Sequence, residues 1–147
     1  MQIHTLVYCS QAAEGLTRDD LERIAQTAQA FNLRNEITGM LLYSGESFIQ
    51  VLEGPLPALE LLYGKIKEDE RHHDVECLMC TPLMRRRFGQ WSMGVFDASE
   101  SAELDRDKLR FICDKAQGDP AAAGRAALTV LNVFRKVLGA TGTQHAV

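Results

Sequence analysis

The sequence predicts an α+β domain with the element order βαββαββ, followed by C-terminal helices. Two observations carry this prediction. Five short runs are rich in β-branched and aromatic residues, whereas two longer segments repeat apolar residues every three or four positions. Right-handed crossovers place both helices on one face of a mixed five-stranded sheet, an arrangement called ferredoxin-like. In that arrangement strands one and three lie side by side at the centre.

The first half of the chain contains three predicted strands and one helix. Residues 3–10 form strand one, and residues 16–31 form helix one because their apolar residues recur near a 3.6 period. Thr17 is the predicted N-cap of that helix, and Asp19 and Asp20 in its first turn suit the helix dipole. Strands two and three cover residues 37–43 and 47–53, joined by the tight turn Ser44-Gly45-Glu46.

The second half begins at Gly54-Pro55, which ends the hairpin. Helix two follows, with an i, i+3, i+4, i+7 apolar stripe and Pro57 in its first turn. The stripe consists of Leu59, Leu62, Tyr63 and Ile66. Strands four and five are predicted at residues 75–81 and 91–96, on either side of a loop.

After residue 96 the composition changes. Residues 97–107 are acidic and predict a linker, and residues 109–116 and 121–138 predict two helices. The last helix has one apolar stripe, which either packs on the bare face of the sheet or forms a dimer or partner surface. We therefore expect a domain over residues 1–97, a helical cap or output segment over residues 98–139, and a disordered tail over residues 140–147.

Composition and charge exclude several classes of protein. The net charge is -4, with 46% hydrophobic and 24% charged residues, which is typical of one globular domain and argues against nucleic-acid binding. The short basic cluster Arg85-Arg86-Arg87 predicts a solvated loop. No apolar run is long enough to span a membrane, and the first residues do not resemble a signal peptide, so we expect a cytoplasmic protein.

The four cysteines are expected to be reduced thiols. Cys77 and Cys80 form a CxxC spacing inside a predicted strand, where residues three apart point to opposite faces. A metal or redox pair needs both sulfurs on one side, so we expect structural core cysteines and no metal site.

Polar side chains interrupt three strands that are otherwise fit for burial. Gln50 lies in the run Ser47-Phe48-Ile49-Gln50-Val51-Leu52, and an unpaired buried amide costs roughly 1–3 kcal/mol. Tyr8 and Ser10 share one strand parity on strand one, as do Trp91 and Met93 on strand five. We expect these five residues to face one place, with Gln50 beside Tyr8. An amide that can exchange donor and acceptor ends suits a switch better than hydrolysis.

No catalytic arrangement competes with this set. His72 and His73 are adjacent in a turn and are expected to be solvated, and no glycine-rich phosphate loop is present. Asn32, at the end of helix one, either caps the helix or reads the C=O and N–H edge of a planar heterocycle. We therefore expect a protein that is not an enzyme.

Several short segments together resemble one known family. They occur in order and at matching spacing over residues 1–97, and they resemble the BLUF family of blue-light sensors using FAD. The C-terminal helices resemble those of its short, stand-alone members. The segments are Tyr8-Cys9-Ser10, Phe31-Asn32, residues 37–43 and 48–54, Asp69-Glu70-Arg71-His72, Arg87-Phe88 and Trp91-Ser92-Met93.

The resemblance implies an FAD, or FMN or riboflavin in its place, with its ring system between helices one and two. By position, Asn32 would bond to the flavin C4=O and N3 edge, and Gln50 would lie between Tyr8 and flavin N5. Ser10 would anchor Tyr8 or the side chain from the last strand.

The same resemblance assigns residues around the rest of the flavin. Ile24 and Ile66 would pack on the faces of the ring. Arg71 and His72 would hold its pyrimidine side or the phosphates.

The implied mechanism is a hydrogen-bond switch. On illumination Tyr8 would pass an electron, and then a proton by way of Gln50, and the Gln50 amide would remain rearranged. A stronger hydrogen bond at the flavin C4=O would move the absorption to the red. Trp91 and Met93 would exchange contacts near Gln50 and shift the C-terminal helices, and the sequence leaves open which of the two lies inside.

The residues past Phe96 are too few for a cyclase, a kinase or a phosphodiesterase, so we expect signalling through an unidentified partner protein or through a homo-oligomer. Two rival hypotheses remain open. One is a ferredoxin-like regulatory or oligomerisation module without flavin, and the other is a small enzyme such as a phosphatase. Both predict a colourless protein.

Overall fold

A computed structural model describes residues 2–99 and 106–141. Its strands are β1 (Ile3–Ala12), β2 (Thr38–Tyr43), β3 (Ser47–Gly54), β4 (His72–Leu83) and β5 (Gly94–Asp97). Its helices are α1 (Arg18–Arg34), α2 (Leu56–Glu68), α3 (Arg106–Lys115) and α4 (Pro120–Thr141). The strands form one sheet in the order β4-β1-β3-β2-β5. The predicted ferredoxin-like sheet, with β1 and β3 adjacent at its centre, is confirmed.

Local sequence explains where the first two helices begin. The Thr17 hydroxyl accepts from the backbone N–H of Asp20, whose carboxylate accepts from the N–H of Thr17, so the predicted N-cap is part of a full capping box. Helix α2 begins after Pro55 with a second proline in its first turn, where a missing N–H costs nothing. The two helices therefore start at fixed points on the same side of the sheet.

The sheet is antiparallel except for the parallel pair β2 and β5. Tyr8 on β1 lies directly opposite Gln50 on β3, as the predicted topology requires. Residues directly opposite in an antiparallel pair project to the same face, so both side chains point towards α1 and α2. The fold thus places the two polar residues together.

Two apolar cores cover the two faces of the sheet. Leu21 of α1 and Leu59 of α2 pack on one face, together with Leu52 of β3. Ile112 of α3 and Leu131 of α4 pack on the opposite face. The C-terminal helices therefore cover the face that α1 and α2 leave bare, which is the first of the two roles expected for them.

Strand β5 begins later than the sequence predicted. Residues 91–93 form a bend, and the strand starts at Gly94. Strand β4 begins earlier than predicted, at His72. It can include Pro82 because β4 is an edge strand, and one side of an edge strand needs no backbone N–H donors. Both differences arise at strand ends, where polar residues and prolines obscure the period of two.

The expectation that Cys77 and Cys80 lie in the core on opposite faces is wrong. A bulge in β4 sets Cys77 opposite Tyr8 and Cys80 opposite Leu6, two β1 residues that share a face. Both cysteines are exposed on this edge strand. No group of three metal-ligating side chains occurs within residues 2–99 and 106–141.

The structure describes part of the predicted linker and of the predicted C-terminal tail. Helix α4 extends through Thr141, whereas the predicted disordered tail, residues 140–147, lies from residue 142 onward outside the described residues. Residues 100–105 of the predicted linker also lie outside them. None of the helices in the described part of the chain has the length and hydropathy that crossing a bilayer requires.

Candidate functional site

A cavity of about 330 Å³ lies between α1, α2 and the sheet, within the size range of small-molecule sites. Its walls are mostly apolar, and Ile24 of α1 and Ile66 of α2 both line it. Six residues that the sequence singled out line this one cavity, namely Tyr8, Ile24, Gln50, Ile66, Arg71 and His72. The lining suits a mainly apolar ligand with a polar edge.

Gln50 forms the centre of a buried hydrogen-bond chain. The Tyr8 hydroxyl donates to Gln50 Oε1, and Gln50 Nε2 donates to Met93 Sδ over 3.1 Å. Tyr8 and Gln50 are only 3% and 5% exposed. A thioether sulfur is a weak acceptor, so the amide's donor end is held less firmly than its acceptor end. Tyr8, Gln50 and Met93 therefore form one hydrogen-bonded chain.

Burial keeps the Tyr8 phenol protonated. Loss of solvation raises the Tyr8 pKa well above its ordinary value, and the nearby groups of Asp69 and Tyr63 raise it further. Because the phenol cannot ionise alone at neutral pH, any loss of its proton must be coupled to another event. The acceptor for that proton in this structure is Gln50 Oε1.

Asn32 presents an unpaired oxygen at the end of α1. Its Nδ2 donates to the Ser92 carbonyl over 2.7 Å, while its buried Oδ1 has no hydrogen-bond partner among the described residues. An orphaned buried acceptor costs about 1–3 kcal/mol, so a ligand N–H would find a strong partner here. Asn32 itself does not line the cavity, but its neighbour Phe31 does, so the unpaired oxygen fits a planar heterocycle with an imide edge, such as a flavin, that reaches this end of α1. The capping role is filled instead by Asn35.

Ser10 does not hydrogen-bond to Tyr8, Trp91 or Met93, the side chains that the resemblance implied it would anchor. Its hydroxyl lies 2.8 Å from His72 Nδ1, and His72 Nε2 lies 2.5 Å from the Ile66 carbonyl. Since a carbonyl only accepts, Nε2 carries a proton, and in the neutral ring Nδ1 then accepts from Ser10. His72 therefore joins β1 to α2 at the wall of the cavity, and it is not the solvated turn residue that the sequence first indicated.

Charged side chains line the cavity from both helices and from the chain that follows α2. Arg71 donates to Asp69 over 2.6 Å, and this pair lowers the Asp69 pKa and raises that of Arg71. Arg34 and Lys65 line the same cavity from the two helices. With three cations and one carboxylate in its lining, the cavity has a net positive wall, which suits a phosphate-bearing ligand.

Trp91 and Met93 lie on opposite faces of the sheet, so the expectation that they share one face is wrong. Met93 belongs to the core beneath α1 and α2, whereas Trp91 packs in the core beneath α3 and α4. The bend at residues 91–93 breaks the strand alternation on which the expectation rested. Met93 is the inward residue of the two.

The sequence reasoning missed a clamp that holds the chain before this bend. The Glu53 carboxylate, 1% exposed, accepts from the backbone N–H groups of Arg87 and Phe88 over 2.8–3.0 Å. The Arg86 guanidinium donates to the Glu53 and Glu36 carbonyls over 2.7 and 2.6 Å. A carboxylate near the end of an otherwise buried strand was the available signal, because buried acids need partners.

The clamped chain also contacts the last helix. Arg135 of α4 donates to the Arg87 carbonyl over 3.0 Å, and its guanidinium lies 5.7 Å from the centre of the Phe88 ring. Residues 86–93, which we call the bridging segment, thus contact Gln50 through Met93 at one end and α4 near the other.

Comparison with known proteins agrees with this geometry. The family model described as "Sensors of blue-light using FAD" matches residues 3–94. The photoactivated adenylate cyclase subunit alpha of Euglena gracilis is 46% identical over 88 residues, 60% of this chain and 9% of that protein. The blue light- and temperature-regulated antirepressor BluF of Escherichia coli K12 is 34% identical over 111 residues, 76% of this chain and 27% of that protein. The chain thus spans about a tenth of the cyclase subunit.

Solved structures show the same fold over a larger share of their length. The dark-state structure of BlrB, a BLUF protein, matches with a TM-score of 0.68 and 34% identity, covering 75% of this chain and 83% of that one. The photo-activated structure of BlsA matches with a TM-score of 0.68 and 27% identity, covering 88% and 94%. With the cavity, the buried glutamine and the family match over residues 3–94 in agreement, the chain belongs to the BLUF family, sensors of blue light that use FAD.

Proposed function

We propose that this protein is a blue-light photoreceptor that binds FAD in the cavity between α1 and α2 and switches through Tyr8, Gln50 and Met93. The observation that carries the proposal is the buried Gln50 amide, held between the Tyr8 hydroxyl and the Met93 sulfur. When bound, the flavin supplies blue-light absorption and an acceptor for one electron. The protein then acts as a sensor and not as an enzyme.

The cavity offers the residues that would hold the cofactor. Ile24 and Ile66 of the cavity lining would pack on the ring faces. The unpaired oxygen of Asn32, which follows the lining residue Phe31 in α1 but does not itself line the cavity, would accept from the imide N–H. Arg71 and His72 would bind the pyrimidine side or the phosphates. Riboflavin and FMN share the ring system with FAD, so the ring contacts alone admit all three.

The switch would work through the two ends of the Gln50 amide. In the structure the carbonyl end accepts from Tyr8 and the amino end donates to a weakly accepting sulfur. If Tyr8 gave up an electron to a bound flavin, its O–H proton would move to Gln50 Oε1. Return of the electron and a proton to Tyr8 would restore the phenol and leave the Gln50 amide rearranged. A neutral hydrogen bond contributes about 0.5–1.5 kcal/mol net, which is small enough for thermal reversal in the dark.

The signal would leave the site through the bridging segment. Gln29 and Asn32 of α1 hold its carbonyls at Met93 and Ser92, and the Gly39 N–H holds the carbonyl of Trp91. A change at Met93 would shift Trp91 in the opposite core and, through residues 86–88, α4. We propose this packing as the two-state element that the switch biases.

The output would reach a separate signalling protein or change the state of a homo-oligomer. The acidic net charge does not favour nucleic acid as the partner. We also propose a cytoplasmic location, which four cysteines without a disulfide support.

The switch is tested with purified protein, FAD and blue light. We expect a yellow protein whose absorption moves to the red on illumination and returns in the dark. Tyr8→Phe and Gln50→Leu should each keep the flavin and lose the red shift. Tyr43→Phe is the matched control because the Tyr43 hydroxyl bonds to the Gly45 carbonyl and not to Gln50. A red shift that persists in both test variants would refute the switch.

The output path is tested separately with Trp91→Ala. This variant should keep the red shift and lose the light-dependent change in hydrogen exchange of α4. If α4 responds to light equally in the variant and the parent protein, the bridging segment does not carry the signal through Trp91.

A further inference from the structure

Two side chains from different helices meet at the cavity between α1 and α2. The Nζ atom of Lys65 in α2 lies over the ring of Phe31 in α1, 4.4 Å from the ring centre. Both side chains line the cavity. Phe31 is half-buried and Lys65 is exposed, so the pair lies where the cavity meets solvent. The Phe31–Lys65 contact therefore joins the two helices on the solvent side of the cavity.

Among the described residues, no carboxylate competes with the Phe31 ring for the Lys65 ammonium group. Asp69 lines the same cavity, but Arg71 binds both of its carboxylate oxygens over 2.6–3.1 Å. The face of an aromatic ring is negative and attracts a cation. The long apolar stem of lysine also allows its charged end to stay in water while it makes this contact. The pairing of Lys65 with Phe31 thus has a clear electrostatic cause.

The contact is next in sequence to two residues that would hold the flavin. Phe31 directly precedes Asn32, whose buried Oδ1 has no hydrogen-bond partner in the described chain. Lys65 directly precedes Ile66, which lines the cavity. Because α1 and α2 form two walls of the cavity, a contact at these positions limits how far the walls can move apart.

We propose that the Phe31–Lys65 contact controls the entry and release of the flavin. A planar ring system that passes between the two helices must first separate the Lys65 ammonium group from the Phe31 ring. The contact therefore raises the barrier in both directions, and it changes the rates of binding and release more than the affinity. This inference rests on the proposed flavin site between α1 and α2, and it makes Phe31 and Lys65 positioning residues of that site.

A second contact of the same chemistry provides the matched control. The Nζ atom of Lys67 lies 4.9 Å from the centre of the Tyr63 ring. Both residues belong to α2 and are four positions apart, so they are neighbours on one helix. This contact cannot hold two helices together, and its loss should leave flavin exchange unchanged.

The test uses riboflavin as the probe, because it has the flavin ring system without a phosphate that Lys65 could bind. Association is followed by the quenching of riboflavin fluorescence on mixing with flavin-free protein, and dissociation by the return of fluorescence on dilution. Lys65→Met and Phe31→Leu should each raise both rates by roughly two- to fivefold. The double variant should be no faster than either single variant, and Lys67→Met should match the parent protein.

Lys65→Arg keeps the cation and should restore the rates of the parent protein, which separates the contact from a general loosening of the helices. The proposal is overturned if Lys65→Met raises only the dissociation rate, because Lys65 is then a ligand of the flavin. It is also overturned if the effects of Lys65→Met and Phe31→Leu multiply in the double variant, because the two side chains then act independently.

The contact itself is measured without flavin, by NMR of the Lys65 side chain. The ring of Phe31 should shift the Lys65 CH2 protons upfield, and this shift should disappear in Phe31→Leu. A protein that shows the shift but binds no flavin would overturn the proposed function, and the control of flavin exchange with it. A protein that binds flavin but lacks the shift would overturn only the inference about Phe31 and Lys65.

Discussion

The buried carboxylate of Glu53 is expected to hold the bridging segment in place, and Glu53→Gln tests this with little change in volume. The carboxylate receives two backbone N–H donors, from Arg87 and Phe88. A hydrogen bond to a charged group contributes about 1.5–3 kcal/mol and a neutral one about 0.5–1.5. The glutamine carbonyl can accept one neutral hydrogen bond, but its NH2 group cannot accept from the other backbone N–H. The hydrogen-bond contribution to the free energy of unfolding therefore falls by about 3 kcal/mol.

Part of this loss is offset because glutamine carries no charge to desolvate. Burial raises the Glu53 pKa although the backbone N–H groups and Arg86 favour the ionised form, so the carboxylate is buried at a cost. Allowing about 1 kcal/mol for that relief, we expect Glu53→Gln to lower the free energy of unfolding by about 2 kcal/mol.

Urea unfolding of the FAD-saturated protein measures this difference. Glu46→Gln is the control, because its partner Arg110 is 62% exposed and a surface pair contributes at most about 1 kcal/mol. We expect the Glu53 variant to unfold at clearly lower urea and its α4 amides to exchange faster. If the two variants are equally stable, the clamp does not hold the bridging segment as described.

Two further predictions concern packing and pH. Gly39→Ala would place a Cβ 2.1 Å from the Val51 carbonyl oxygen, so the β2–β3 pair must move apart and the midpoint of urea unfolding should fall. The control is Gly64→Ala in α2, whose new Cβ meets nothing within 4 Å and which should be neutral or slightly stabilising. The raised pKa of Tyr8 means that the folded state keeps a proton which the unfolded chain loses near pH 10. That contribution to stability is complete below about pH 10 and is lost as the pH rises towards the folded pKa, so alkaline unfolding should begin at lower pH in the parent protein than in Tyr8→Phe. Equal alkaline midpoints would contradict the second prediction.

The central part of the site could be predicted because it depends on topology. Once the order βαββαββ is read, β1 and β3 must be neighbours, and the observed register sets Tyr8 opposite Gln50. The lining by Ile24 and Ile66 follows from the apolar stripes of the two helices. These features arise from periods that extend over whole elements.

The remaining features depend on single irregular positions, which periodicity does not reveal. The bend at residues 91–93 separates Trp91 from Met93, and the bulge in β4 turns Cys77 and Cys80 to one face. Contacts between distant side chains, such as Ser10 with His72, depend on the three-dimensional path of the loops. The bonds of Glu53 to residues 87 and 88 are of the same kind.

The rearrangement of the Gln50 amide is tested most directly by light-minus-dark infrared spectroscopy of protein made with isotope-labelled glutamine. We expect a label-sensitive side-chain amide band that shifts on illumination, reverts in the dark and is absent from Gln50→Leu. A red shift of the visible spectrum without a change in any band that depends on Gln50 would contradict the proposed rearrangement.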